Sequence, residues 1–258
     1  MKRPPGTLIT ADVANEICLR AGEKATLAGS IAALGSTYVL TFKATNCQTG
    51  ETLASQVVEA PGKEKVLGAL AQAVNGIREK LGESLPNIQR TFAVQATTAS
   101  LEAYQAHAMG ITQINQGQWA AGIPHLDRAI QLDPNLAIAY TAQAIAYSVL
   151  RQNNRARELF RKGFERRSNA SERERLWIEG RYYETEGNLD KARQVYEELV
   201  RLYPNHSLGN NSIGNIYRAF GDFEKALPMY REVIRLRPES SLGYNQAMSA
   251  LIRLGRFD

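Results

Sequence analysis

From Leu101 onward, apolar side chains recur at intervals of three and four residues, the spacing of a helix that buries one face. Short polar triplets cut these runs at regular places, beginning at Gly117, Arg151, Gly187, Gly221 and Gly255, so that successive units are 34, 36, 34 and 34 residues long. Within each unit the pattern predicts two helices joined by the triplet. Two helices that cross closely need small side chains at the crossing, and Gly110, Ala144, Gly180 and Gly214 occupy that place on the first helices, with Met248 departing from it. After each turn come Gly122, Ala156, Ala192 and Ala226, and seven residues later Ala129, Gly163, Leu199 and Val233. The bulk of Leu199 and Val233 predicts looser or wider packing there. Tyr147, Tyr183 and Tyr217, with Leu126, Phe160, Tyr196 and Tyr230, read as core.

Prolines at 134, 204 and 238 end three of the units, because proline cannot continue a helix. The second unit has Ser168 at that place, and its segment RRSNASERER carries the two extra residues, which predicts a longer loop or an extended helix. A hairpin of this kind cannot bury its apolar face alone and does so by stacking on the next. The period of 34 with these small residues resembles the tetratricopeptide repeat (TPR) over residues 101–258, giving four full units and a fifth cut off after its turn. The lack of a polar capping helix after Asp258 reads as a piece of a longer chain, or as an end covered by a partner or a second copy.

Residues 1–90 follow another rhythm. A short helix is expected over Ala11–Ala21, then three runs rich in Val, Leu, Thr and Ala with glycine turns between them, then an amphipathic helix carrying Val66, Leu67, Leu70, Val74, Ile77 and Leu81. Thr49-Gly50 supplies one hairpin turn. The expected fold is therefore mainly α: a helical-hairpin solenoid over 101–258, a linker over 91–100, and before it a small α+β domain with an antiparallel sheet. Gly29, Ser30, Ile31, Gly35, Thr49, Gly50 and Glu51 carry a resemblance to the later half of the TolB-like amino-terminal domain. Together with the Gly62 helix and the stretch TTASLEAYQAHAMG, they make the chain similar to the tails of bacterial, especially acidobacterial, receptor-like Ser/Thr kinases. The resemblance implies a truncated sheet with a raw edge, a parent kinase and membrane helix preceding this region, and an extracytoplasmic location, with a cytoplasmic one as the alternative.

Composition changes this picture little. Of the 258 residues, 31 are basic and 26 acidic, a mixed surface that only permits an acidic partner. No apolar run is long enough to span a membrane, and no signal-peptide pattern follows the basic start. Nucleotide-loop, zinc-protease and serine-hydrolase motifs are missing, and Ser212, among glycines, falls where close packing explains them, so no enzyme, cofactor or metal is expected. Cys18 and Cys47 lack metal spacing and read either as free buried thiols or as a pair joined in an oxidising compartment; the kinase-tail resemblance favours the bond.

By the same resemblance to TPR arrays, the inner groove is lined by one stripe of the first helices: Tyr104, His107 and Ile111, then Ile138, Thr141 and Ile145, then Glu174, Trp177, Arg181 and Glu184, then Leu208, Asn211, Asn215 and Arg218, then Leu242 and Asn245. Its first part is apolar. Asparagine both donates and accepts, and arginine grips carboxylates, so Trp177, Arg181, Asn211, Asn215, Arg218 and Asn245 form a candidate cradle for a protein or peptide with an acidic or C-terminal carboxylate group. The competing reading pairs Arg181 with Glu184 or Glu174 on a solvated face. A basic ridge of Arg155, Arg161, Lys162 and Arg166 is a second candidate, for a docking partner or nucleic acid, though interspersed glutamates and missing aromatics favour helix-surface pairing. Self-association into a homo-oligomer is a third.

Overall fold

The alternating runs near the amino terminus become three strands, β1 (Ala25–Leu34), β2 (Thr37–Asn46) and β3 (Thr52–Pro61), preceded by helix α1 (Ala11–Arg20) and followed by helix α2 (Val66–Lys80). The computed structural model describes residues 10–82 and 98–256. It divides into two compact units, Met1–Leu101 and Glu102–Asp258. Of the expected linker, residues 91–97 lie outside the described residues.

In the first unit the strands pair antiparallel in the order β1-β2-β3, with one register shift between Ala44 and Thr45. The β2–β3 turn is made where expected: Gly50 has φ +73°, a conformation that costs a residue without a side chain nothing, and the Asn46 side chain accepts from the Gln48 and Thr49 amides. Because strand side chains alternate between faces, Leu40 and Ala44 of β2 and Ala54, Val58 and Ala60 of β3 point together to one side. There α2 buries Val66, Ala69 and Ala73 against Leu40, Val58 and Ala60, and Ile77 against Ala44 and Ala54. Cys18 of α1 and Cys47, which follows β2, are buried and joined as a disulfide with Cα atoms 6.2 Å apart. That geometry selects the paired reading over two free thiols.

The second unit is helical throughout: α3 (Leu101–Asn115), α4 (Trp119–Leu132), α5 (Ala137–Val149), α6 (Asn153–Glu165), α7 (Glu172–Thr185), α8 (Leu189–Leu202), α9 (Ser207–Ala219), α10 (Phe223–Leu236) and α11 (Ser241–Arg253). Eleven α-helices are thus present among the described residues, in a TPR-like succession of hairpins. At the crossings the small residues do what their spacing requires. A methyl group on Gly110 would lie 2.7 Å from Leu126, and one on Gly214 2.5 Å from the Tyr230 ring. Leu126, Phe160, Tyr196 and Tyr230 are fully enclosed, whereas Tyr147, Tyr183 and Tyr217 are half-buried at the core's margin. There Arg155, Lys191 and Lys225 sit over those three rings at 5.6, 4.2 and 5.8 Å.

The expectation of loose packing at Leu199 and Val233 is overturned. Both are completely buried, and the glycine of the next first helix makes room chiefly for the residue that follows each, Val200 and Ile234. A methyl group on Gly209 would come within 2.8 Å of Val200 and 3.5 Å of Leu199; one on Gly243 would come within 2.8 Å of Ile234 and 3.2 Å of Val233. Bulk on one helix is matched by its removal from the neighbour.

The two extra residues of the second unit give the longer connection expected there, residues 166–171, where the other units use four residues, and no helix is extended. They become a 3-10 turn, Arg167–Asn169, after which Ser171 and Glu174 close a reciprocal capping box at the start of α7. Arg167 anchors the turn, donating to Glu179 at 2.9 Å with its guanidinium 3.7 Å from the centre of the Phe164 ring. Arg151 adopts φ 62°, where the other turns use Gly117, Gly187, Gly221 and Gly255. No described helix is long and apolar enough to cross a membrane.

Candidate functional site

The stripe of first-helix residues is not uniform. Thr141 is completely enclosed, its hydroxyl facing Gly163 of α6, so it belongs to the hairpin interior rather than to a surface. Tyr104, Leu208, Arg218 and Asn245 are exposed, and His107, Ile111, Ile138, Ile145, Trp177, Arg181, Asn211 and Asn215 are half-buried.

The densest chemistry gathers around α7. The Trp177 ring lies 5.7 Å from that of Tyr196 and 5.4 Å from that of His206, and the Arg181 guanidinium is 5.8 Å from Trp177 and 5.2 Å from Phe160. Arg181 donates to Glu184 at 2.9 Å, and the Tyr196 hydroxyl donates to the same carboxylate oxygen at 2.9 Å. Burial opposes the arginine's charge, but the Tyr196 and Glu184 oxygens outweigh it and hold the guanidinium above its ordinary range. Burial and the neighbouring carboxylate also push the Tyr196 phenol well up, so it stays a donor. The pairing of Arg181 with Glu184 is therefore real, and the arginine remains on the stripe.

Asn215 is committed as well, accepting at 3.0 Å from the Tyr230 hydroxyl and so fixing the ring beneath Gly214. Ser212 is buried beside the Tyr196 phenol and has the surroundings of a packing residue. Among the described residues of this unit, the buried side-chain atoms left without a hydrogen bond are His107 Nε2, Thr141 Oγ1, Arg181 Nε and Asn211 Oδ1. They lie one on each of four successive first helices, and all four residues belong to the stripe.

His206 is not among the residues that the sequence pattern singles out. It caps α9, its Nδ1 accepting at 3.0 Å from the Gly209 amide, while its ring packs on Trp177. The signal was there in Pro-Asn-His-Ser, a unit-ending proline followed by a side-chain acceptor at the cap position. Burial, with Arg173 nearby, lowers its pKa to about 4, and burial does the same to His107.

The basic ridge is engaged locally. Arg155 donates to Gln152, Arg161 pairs with Glu165 at 3.3 Å, and Lys162 pairs with Glu158 at 2.7 Å. Arg166 donates to the Pro134 and Lys162 carbonyls with its guanidinium 4.9 Å from the Tyr140 ring, tying the end of α6 to the preceding loop. Among the described residues no group of three or more His, Cys, Asp and Glu could hold a metal ion.

Residues 141–207 match one family model described as tetratricopeptide repeat, and residues 211–242 match a second with the same description. These stretches are tetratricopeptide repeats. No curated protein gives a significant match. Similar solved structures include a thermophilic TPR protein of Thermus thermophilus (17% identity, 60% of this chain and 84% of that one, TM-score 0.48). MamA of Desulfovibrio magneticus RS-1 is another (17%, 61% and 88%, TM-score 0.40). A third is YrrB, described as a TPR protein with an unusual peptide-binding site (16%, 60% and 79%, TM-score 0.36).

Proposed function

We propose that this chain is a non-catalytic interaction module that holds an extended segment of a partner protein along the stripe of first-helix residues. One observation carries the reading: His107, Arg181 and Asn211 are half-buried residues of three different first helices, and each keeps a buried hydrogen-bonding atom unpartnered. Leaving such an atom unpaired costs about 1–3 kcal/mol, so unpartnered polar atoms recurring along one line call for an explanation. An extended main chain offers alternating donors and acceptors, and Arg181 Nε donates where Asn211 Oδ1 accepts. Trp177, one helical turn before Arg181, supplies an apolar contact. The exposed Arg218 and Asn245 further along the stripe suit an acidic or C-terminal carboxylate group.

The resemblance to receptor-like kinase tails supports a place in a larger bacterial signalling protein, on the extracytoplasmic side of its membrane, and the Cys18–Cys47 bond fits an oxidising compartment. Nucleic acid is the weaker alternative, because Arg155, Arg161, Lys162 and Arg166 already have partners on their own surface.

The test is selection of random peptides with free carboxyl termini on the purified chain, followed by fluorescence anisotropy against Asn211→Leu and Arg218→Glu. Each variant is expected to keep its helical circular dichroism and to bind enriched peptides roughly tenfold more weakly, a loss of about 1.4 kcal/mol. Failure to enrich any peptide, or affinity unchanged in both variants, refutes the reading.

A further inference from the structure

The third and fourth units share one frame and carry different charges on it. Tyr196 of α8 and Tyr230 of α10 each lie fully buried under the crossing glycine of their own hairpin, Gly180 and Gly214, and each sends its hydroxyl to the stripe. Counted from that glycine, the first place on the stripe holds Arg181 in α7 and Asn215 in α9, and the fourth holds Glu184 and Arg218. In the third unit the arginine and the phenol converge on the Glu184 carboxylate, both at 2.9 Å, so the positive charge is answered within the chain. The fourth unit keeps the arginine and the phenol and has no such acid: Arg218 is exposed and makes no ion pair among the described residues.

Tyr230 bonds to Asn215 instead, donating to its Oδ1 at 3.0 Å. Burial raises the pKa of this phenol against the opposing pull of the nearby Arg218 charge, so the hydroxyl keeps its proton and stays the donor. A carboxamide has one acceptor oxygen and one NH2 group. With Oδ1 held by a buried ring, Asn215 is left with N–H donors alone for the stripe, three residues from Arg218 along the same helix face. One turn earlier Asn211 keeps its Oδ1 unpartnered, an acceptor suited to a main-chain N–H.

We infer that Tyr230 is a positioning residue that makes the fourth unit a carboxylate site: by fixing the Asn215 amide it leaves Nδ2 and the Arg218 guanidinium to hold one carboxylate of the bound segment, which takes the place Glu184 fills in the third unit. This role rests on the peptide reading above and adds to it where the acid group sits and what selects it. A neutral carboxamide in that place would set its own N–H groups against donors and would forgo the pairing with arginine, so acid is chosen over amide.

Peptides enriched from a random library with free carboxyl termini, synthesised both as acids and as carboxamides, provide the test. The ratio of the two affinities is measured on the wild-type chain, Tyr230→Phe and Asn215→Asp, with circular dichroism as the folding control. A merely structural loss weakens both forms alike and leaves the ratio where it was. The wild-type chain is expected to favour the acid by about tenfold or more. Tyr230→Phe should lower that preference severalfold, because the amide can then turn, and Asn215→Asp should abolish it, because its carboxylate still accepts from Tyr230 and itself occupies Arg218. Where acid and carboxamide bind alike, the same ratio between peptides carrying Asp or Glu and their Asn or Gln counterparts assigns the carboxylate to a side chain rather than to the chain end. A library that enriches nothing sinks the peptide reading and this role with it. Enriched peptides that show no preference for acid in either position, or a preference unchanged in either variant, overturn the role of Tyr230 alone.

Discussion

Two tasks at His206 both require an uncharged ring: its Nδ1 must accept from the Gly209 amide, and the ring must sit against Trp177 near Arg173. The folded pKa of about 4 lies below the ordinary 6.5. Between those values the unfolded chain binds more protons than the folded one, so stability falls as pH drops through that window and this contribution levels off below it. The slope from one such histidine is at most about 1.4 kcal/mol per pH unit, and His107, also at about 4, adds a second share. His206→Asn keeps a capping acceptor and removes the titration. Urea unfolding between neutral and mildly acid pH should therefore show a shallower decline in the variant, starting from a neutral-pH stability lowered by loss of the ring's packing on Trp177, and an unaltered slope would refute the assignment. Arg151 makes a complementary point: at φ 62° it holds a conformation that costs a side-chain-bearing residue about 1–2 kcal/mol, where four sister turns use glycine.

The helices of the array were legible because three independent signals coincide at each turn: the period of 34, small residues at the crossing and an apolar stripe. Prolines were read only as stops, yet Pro124 and Pro228, at equivalent places in α4 and α10, lie within helices that continue past them. Each stands near the helix start, where the missing amide breaks one bond without disturbing the core. Pro228→Ala restores that bond and should raise stability by about 1–2 kcal/mol in chemical denaturation, part of the full proline cost being offset by the freer unfolded chain. A neutral or destabilising result would mean that the turn is shaped around the ring. The candidate site was less legible than the helices. Spacing could assign Arg181, Asn211 and Asn215 to one stripe and offer Glu184, three residues on in the same helix, as a partner for Arg181, but the Tyr196 and Tyr230 hydroxyls reach Glu184 and Asn215 only after the hairpins close. Thr141 shows the same limit, since it is enclosed while Ile138 and Ile145, on the same stripe of the same helix, stay half-buried.

At the scale of the whole molecule, the two units are held by different means. The sheet unit has one small core and a disulfide closing a separation of 29 residues, a constraint worth about 3–4 kcal/mol by chain entropy. The array contains no cysteine and relies on neighbour-to-neighbour burial. Reduction, or replacement of both cysteines by serine, should therefore loosen amide protection in β1–β3 and α2 while leaving α5–α10 nearly unchanged in hydrogen exchange; equal loss in both would contradict this division. The glycine opposite each bulky residue also has a bearing on how such an array can grow. The unit from Ser207 to Ser240 opens with Gly209 and ends with Val233, so a tandem duplicate would meet itself with bulk against space. The unit beginning at Ala137 opens with Ala139, and set in place of the unit that follows Val200 it would press a methyl group on Val200 where Gly209 now leaves room. Gene duplication can thus lengthen this array by copying its later units, whereas the earlier ones are not interchangeable with them.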